Sequence, residues 1–282
     1  MAAHDGTGEM DGDRQPWALV LGASSGFGEA TARALAAAGY DIAGVHLDRR
    51  QGMAHVAEVT AAIHAAGRTA HFVNMNAADD ERRAEFLGGL RAVFDAQFER
   101  TRRRPYVRVL LHSLAFGTLK PFLASEPDAA ISRKNMEMTL DVMANSLVYW
   151  AQDLWRGGFL EAGSKIYAMT SEGSTRVIDS YGAVSAAKSA LESHCRQLAM
   201  EFARRRADVA VNAIRAGVTV TPALMQIPEH DALIEHATKR NPSGRMTTVQ
   251  DVASVIVRLS QDGTSWVTGN VIGVDGGEFI SG

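Results

Sequence analysis

The chain has 282 residues, 46% of them hydrophobic, and a formal net charge of −3. That is enough apolar content for one sizeable core, and the near-neutral balance gives no reason to expect nucleic acid as a partner. No run of about 18 apolar residues appears, which removes a membrane-spanning helix, and the single cysteine, Cys195, excludes an internal disulfide and suits a reducing cytoplasm.

Residues 1–15 are rich in Gly, Asp and other polar residues and lack the apolar core of a signal peptide, so they read as a disordered lead. Residues 17–21 form a short apolar run with a buried-strand pattern. A glycine-rich turn follows, then an Ala-rich helix closed by Gly39. Strands are expected at 42–47 and 69–74, with a helix at 54–66 stopped by Gly67. Residues 80–103 read as a charged amphipathic helix, with Phe86, Leu90, Val93 and Phe94 near one face. The short basic run at its end reads as a solvated helix terminus. A fourth strand at 107–112, a long helix at 136–155 and a fifth strand at 165–170 come next. A helix runs from Tyr181 to about residue 206, and Cys195 falls among Leu191, Leu198 and Phe202 as a buried packing residue. Strands at 209–215 and 271–274 enclose a helix at 251–261. Strand–helix alternation of this kind gives an α/β fold. It is a single doubly wound parallel sheet of about seven strands with helices on both faces, one domain over residues 16–282.

Two stretches carry chemistry. Gly22, Ser24, Ser25, Gly26, Phe27 and Gly28 sit between the first strand and the first helix, where free backbone N–H groups and the helix dipole favour phosphate. The glycines are spaced G-x3-G-x-G, not G-x-G-x-x-G. Farther on, Tyr181 and Lys188 lie seven residues apart, and at ~100° per residue both return to one helix face. A nearby cation lowers a phenol's pKa, so the pair suits proton donation to an oxygen that gains charge as a hydride arrives. None of the nine histidines has a paired metal-ligand spacing, so no metal is expected.

The glycine turn, the Tyr181/Lys188 helix and Asp275-Gly276-Gly277 together resemble the short-chain dehydrogenase/reductase family over residues 16–282. The resemblance implies a Rossmann-type sheet, a nicotinamide cofactor, and an active-site Tyr and Lys. The departures narrow it. Tyr and Lys are usually four apart, but here Ser185 stands at that place. His112-Ser113-Leu114-Ala115 follows the fourth strand, and Ala216-Gly217 replaces Pro-Gly after the sixth. The asparagine expected in the long fourth helix falls at Met143, with Asn145 two positions late. These features look like the enoyl-acyl-carrier-protein reductase branch, and the intact glycine motif resembles its NADPH-using type.

On that resemblance Tyr181 would stabilise an enolate and Lys188 would hold the nicotinamide ribose. Ser171 either steadies a substrate carbonyl or is a solvated loop residue. Ser113, Leu114 and Ala115 would line the ribose side, Gly217, Val218 and Thr221 the carboxamide and phosphates, and Asn76 and Ala77 the adenine. Asp48, an acidic residue ~20 positions past the glycines, favours NAD, whereas Arg49 accommodates a 2′-phosphate. The adjacent guanidiniums of Arg49 and Arg50 favour NADPH, with NADH the alternative. Residues 222–242 read as hinged helical pieces forming a substrate lid, with Phe116, Met225 and Ile227 facing an acyl thioester. Packing on the surface or at an oligomer interface is the other reading of that loop. The substrate is expected as an acyl thioester, on acyl carrier protein or coenzyme A. A carbonyl reductase using Ser171, Tyr181 and Lys188 is the competing activity, and a non-catalytic nucleotide sensor is a further class. The resemblance also implies a homotetramer, against a monomer whose apolar helices are simply buried.

Overall fold

The computed structural model describes residues 13–227 and 230–281. Seven strands, β1 (Arg14–Leu21), β2 (Asp41–His46), β3 (Ala70–Asn74), β4 (Arg104–His112), β5 (Lys165–Thr170), β6 (Ala210–Ala216) and β7 (Val271–Val274), form one sheet. Every pairing is parallel and the order is β3-β2-β1-β4-β5-β6-β7. The α-helices among the described residues are α1 (Gly26–Ala37), α2 (Met53–Ala65), α3 (Asp80–Thr101), α4 (Arg133–Leu140), α5 (Ser146–Arg156), α6 (Gly182–Arg204), α7 (His230–Arg240) and α8 (Val249–Leu259). Alternation along β1 divides its side chains between two cores. Trp17, Leu19 and Leu21 join the core under α3, α5 and α6, while Ala18 and Val20 join the one under α1, α2 and α8. A strand buried on both faces is what its near-continuous apolar sequence requires.

The large side chains of the α3/α5 core are also satisfied as polar groups. Trp17 Nε1 donates to Gln97 Oε1 at 2.8 Å, and Trp150 Nε1 donates to the Ala77 carbonyl at 2.8 Å. The second contact ties α5 to the segment after β3.

Two expectations change. The first strand begins at Arg14, so Arg14 and Gln15 belong to the sheet and not to the polar lead; residues 1–12 lie outside the described residues. The expected continuous helix at 136–155 is three pieces, with a π-helical turn at Asp141–Asn145 between α4 and α5. There the Ser146 hydroxyl donates to the Val142 carbonyl at 2.8 Å, and His112 Nε2 lies 2.8 Å from the same Ser146 oxygen. The wide turn is therefore stitched to the end of β4. The segment after β6 has a 3-10 turn at Leu224–Gln226 before α7, in keeping with the hinged helical pieces expected there from Pro222; Pro228 lies outside the described residues.

Candidate active site

Parallel strands end together, and the order reverses between β1 and β4, so the C-terminal edge there is where an open α/β sheet receives a ligand. A cleft of about 530 Å³ opens at that edge, lined by the loops after β4, β5 and β6 and by the start of α6. Its polar lining includes Ser171, Tyr181 and Lys188, and its apolar walls include Phe116, Met143, Val184, Leu224 and Ile227.

The glycine turn forms the cleft's flank by close backbone approach. Gly22 has φ +88°, and a Cβ there would come within 2.4 Å of the Ser113 carbonyl oxygen. A Cβ on Gly28 would meet the Gly22 carbonyl oxygen at 1.9 Å. No side chain is tolerated at either place. Ser25 is the N-cap of α1, yet its hydroxyl makes no capping hydrogen bond. The first N–H groups of α1 thus remain available to an anion, which fits the pyrophosphate of a dinucleotide. Phe27 lines the cleft, and Thr221 packs 3.5 Å from the place of a Cβ on Gly26.

Tyr181 is the N-cap of α6 and follows Ser180, whose φ of 58° is left-handed. The Ser185 hydroxyl donates to the Gly173 carbonyl and fixes the β5–α6 loop on the first turn of the helix. Lys188 Nζ donates to the Met169 carbonyl at 2.7 Å. Burial draws its ammonium down to about 8, with Glu192 one turn along opposing the shift. Thr170 Oγ1 donates to Glu192 Oε1 at 2.7 Å, holding that carboxylate in place. The phenol behaves otherwise than the spacing suggests. Burial raises the Tyr181 pKa, and the force opposing it is the Ser171 hydroxyl, not the Lys188 ammonium. Ser171 Oγ is itself buried and close to the phenol, but has no aligned hydrogen-bond partner among the described residues. A buried orphan hydroxyl beside a protonated phenol is a ready pair of donors for one oxygen atom.

Of the residues expected at the site, Phe27, Ser113, Leu114, Ala115, Phe116, Ser171, Tyr181, Lys188, Gly217, Val218, Thr221 and Ile227 line the cleft. Gly22, Ser24, Ser25, Gly26 and Gly28 make up the glycine turn on its flank. Asp48 and Arg49 lie past the end of β2, and Asn76 and Ala77 past β3, along the same sheet edge. Met225 does not face the cleft. Its 3-10 turn points Leu224 inward at 9% exposure and leaves Met225 44% exposed. Asn145 is also elsewhere, with Oδ1 3.2 Å from His194 Nε2, and Met143 holds the wall position. Sequence reasoning missed Glu172, Arg240 and Glu278. Arg240 Nη2 donates to Glu172 Oε2 at 2.7 Å and to Glu278 Oε1 at 2.9 Å, and Val218 N–H donates to Glu278 Oε2 at 3.1 Å. No local motif marks these three, which meet only through the fold.

A parallel sheet with an uncapped helix N-terminus at its switch point, and Tyr, Ser and Lys together in one cleft, is the arrangement that the resemblance to the short-chain dehydrogenases/reductases implies. A family model described as Enoyl-(Acyl carrier protein) reductase matches residues 22–278. The chain belongs to that family, the enoyl-acyl-carrier-protein reductase branch of the short-chain dehydrogenases/reductases. It is 32% identical to the enoyl-[acyl-carrier-protein] reductase [NADH] of Aquifex aeolicus over 62% of this chain, a stretch spanning 63% of that relative. It is 26% identical to the 1-cyclohexenylcarbonyl-CoA reductase of Streptomyces collinus over 96% of this chain and 90% of that one. The crystal structure of the Aquifex aeolicus enzyme superposes with a TM-score of 0.78 at 24% identity, covering 96% of this chain and 99% of that one.

These relatives correct the NADPH expectation. The Aquifex enzyme and further enoyl reductases similar to this chain are named for NADH. The local structure agrees with the correction. Asp48 is held by His46 at 2.9 Å, while Arg49 is exposed and its side chain makes no ion pair among the described residues. An intact glycine motif therefore carries no information about the 2′-phosphate, which is met at the end of β2, about 20 residues away.

Proposed function

We propose that the protein reduces the carbon–carbon double bond of an α,β-unsaturated acyl thioester with NADH. The observation that carries the proposal is the protonated Tyr181 phenol beside the orphan Ser171 hydroxyl, in a cleft whose walls are mostly apolar. When bound, NADH supplies a hydride to the substrate β-carbon. The thioester oxygen then gains enolate charge, and the Tyr181 hydroxyl donates a hydrogen bond to it, with Ser171 as second donor. Burial keeps the phenol protonated at neutral pH, as a donor must be. Lys188 spends one N–H on Met169 and has two left for ribose hydroxyls. Leu224 and Ile227, on the lid of residues 222–242, exclude water from the hydride path. Asp48 receives the adenosine ribose hydroxyls. The family description supports acyl carrier protein as the carrier, and we take the assembly to be a homotetramer through α5 and α6, to be read by light scattering.

A carbonyl reductase remains the second reading, because Ser171 beside Tyr181 is also the arrangement that steadies a ketone. Met143 weighs against it, as an apolar side chain stands where that chemistry is expected to have an asparagine. Following NADH absorbance with a crotonyl thioester and separately with an acetoacetyl thioester decides between them. The proposal expects turnover with the first, and turnover with the second alone overturns it.

A further inference from the structure

Three elements converge on one carboxylate past the end of β2. Asp48 Oδ2 lies 2.9 Å from Nδ1 of His46, whose side chain is only 2% exposed. From β3, Asn74 grips the same residue's backbone: its Oδ1 accepts from Asp48 N–H at 3.2 Å, and its Nδ2 donates to the Asp48 carbonyl at 2.8 Å. The other carboxylate oxygen, Oδ1, rests against Gly52 at the start of α2, where an added Cβ would come within 2.7 Å of it. Asp48 is thus pinned at backbone and side chain although it stands at a partly open edge, where a lone aspartate would have rotamer freedom. The neighbouring Arg49 is the obvious alternative partner, and the bond to His46 keeps the carboxylate from turning to it.

We propose that His46, Asn74 and Gly52 set the preference for NADH over NADPH by holding the Asp48 carboxylate where the adenosine 2′-hydroxyl is read. The inference rests on the NADH reading above. A fixed carboxylate accepts from the ribose hydroxyls and repels a 2′-phosphate, with no conformer in which it withdraws. Released, it pairs with Arg49 or swings aside. The phosphate is then no longer opposed. His46, Asn74 and Gly52 touch neither the reacting atoms nor the nicotinamide and act only through Asp48, so they are positioning residues.

The test is fluorescence titration of the purified protein with NADH and NADPH, for wild type, His46→Phe, Gly52→Ala and Asp48→Asn. The phenyl ring keeps the packing on Phe72, 6.3 Å away between ring centres, and removes Nδ1. Alanine at 52 pushes the carboxylate and leaves His46 intact, so it decides the matter should His46→Phe not fold. Wild type is expected to bind NADH at least ~10-fold tighter than NADPH, and both clamp variants to shrink that ratio by ~5- to 10-fold, weakening NADH while strengthening NADPH, against the 1.4 kcal/mol that a tenfold change represents. A merely structural role weakens both cofactors together and leaves the ratio alone. An unchanged ratio in the clamp variants with a collapsed ratio in Asp48→Asn overturns the clamp and leaves the NADH reading standing. A wild type that prefers NADPH overturns both, whereas an Asp48→Asn ratio equal to that of an NADH-preferring wild type overturns the clamp alone, because the carboxylate then does not set the preference.

Discussion

Lys188 is costly to fold around, and the cost is measurable. Burial takes its ammonium from the usual 10.5 to about 8, which at ~1.4 kcal/mol per pKa unit amounts to about 3 kcal/mol against folding wherever both states are protonated. The folded-state pKa lies below the unfolded one, so the penalty is complete below pH 8. It is lost as pH rises from 8 to 10.5, because there the unfolded chain binds more protons than the folded one. Lys188→Met removes the charge and keeps the bulk, at the cost of the bond to Met169 O, about 1.5 kcal/mol for a charged donor. The variant is therefore expected to be at least as stable as wild type at pH 7, though inactive. Its advantage should fall by about 3 kcal/mol between pH 7 and pH 10.5. Urea unfolding of both proteins across that range reads the difference directly. A stability difference that stays flat from pH 7 to pH 10.5 would refute the buried-ammonium account, and so would a variant much less stable at every pH.

Tyr181→Phe should cut kcat by ~10²-fold or more while NADH still binds, the range of a lost acid–base or oxyanion donor; stopped-flow turnover with fluorescence titration checks both. Gly28→Ala places a methyl against the Gly22 carbonyl oxygen and should abolish NADH binding, as read by titration. Ile227→Trp should shift the kcat/KM profile of an acyl-chain series toward shorter chains, whereas Met225→Trp should leave it as in wild type, because only Ile227 faces the cleft.

Much of this was legible in the sequence because local signals sufficed. Short apolar runs broken by glycine gave all seven strands to within a few residues, and the glycine turn announced its own geometry through Gly22 and Gly28. What escaped depends on distant contacts. Nothing in the sequence of Asp141–Asn145 marks a π-turn locally, and its neighbourhood is tied to distant elements, to β4 through the His112–Ser146 contact and to α6 through the Asn145–His194 contact. The spacing of Tyr181 and Lys188 put both in the cleft, but not the direction of the ammonium, which turns to Met169 on β5 instead of acting on the phenol. Met225 and Ile227 looked equivalent, since a 3-10 turn follows neither the helical nor the strand period. The adjacent Asp48 and Arg49 pulled in opposite directions until His46, buried at the end of β2, was seen to hold the aspartate.

The most direct measurement of the central claim is the fate of the label from deuterated NADH, carried at the transferable C4 position, with crotonyl and acetoacetyl thioesters present in equal amounts. The account expects deuterium at C3 of the butyryl product, the C2 hydrogen coming from solvent, and little 3-hydroxybutyryl thioester. Deuterium found mainly in 3-hydroxybutyryl thioester would contradict it and make the protein a carbonyl reductase.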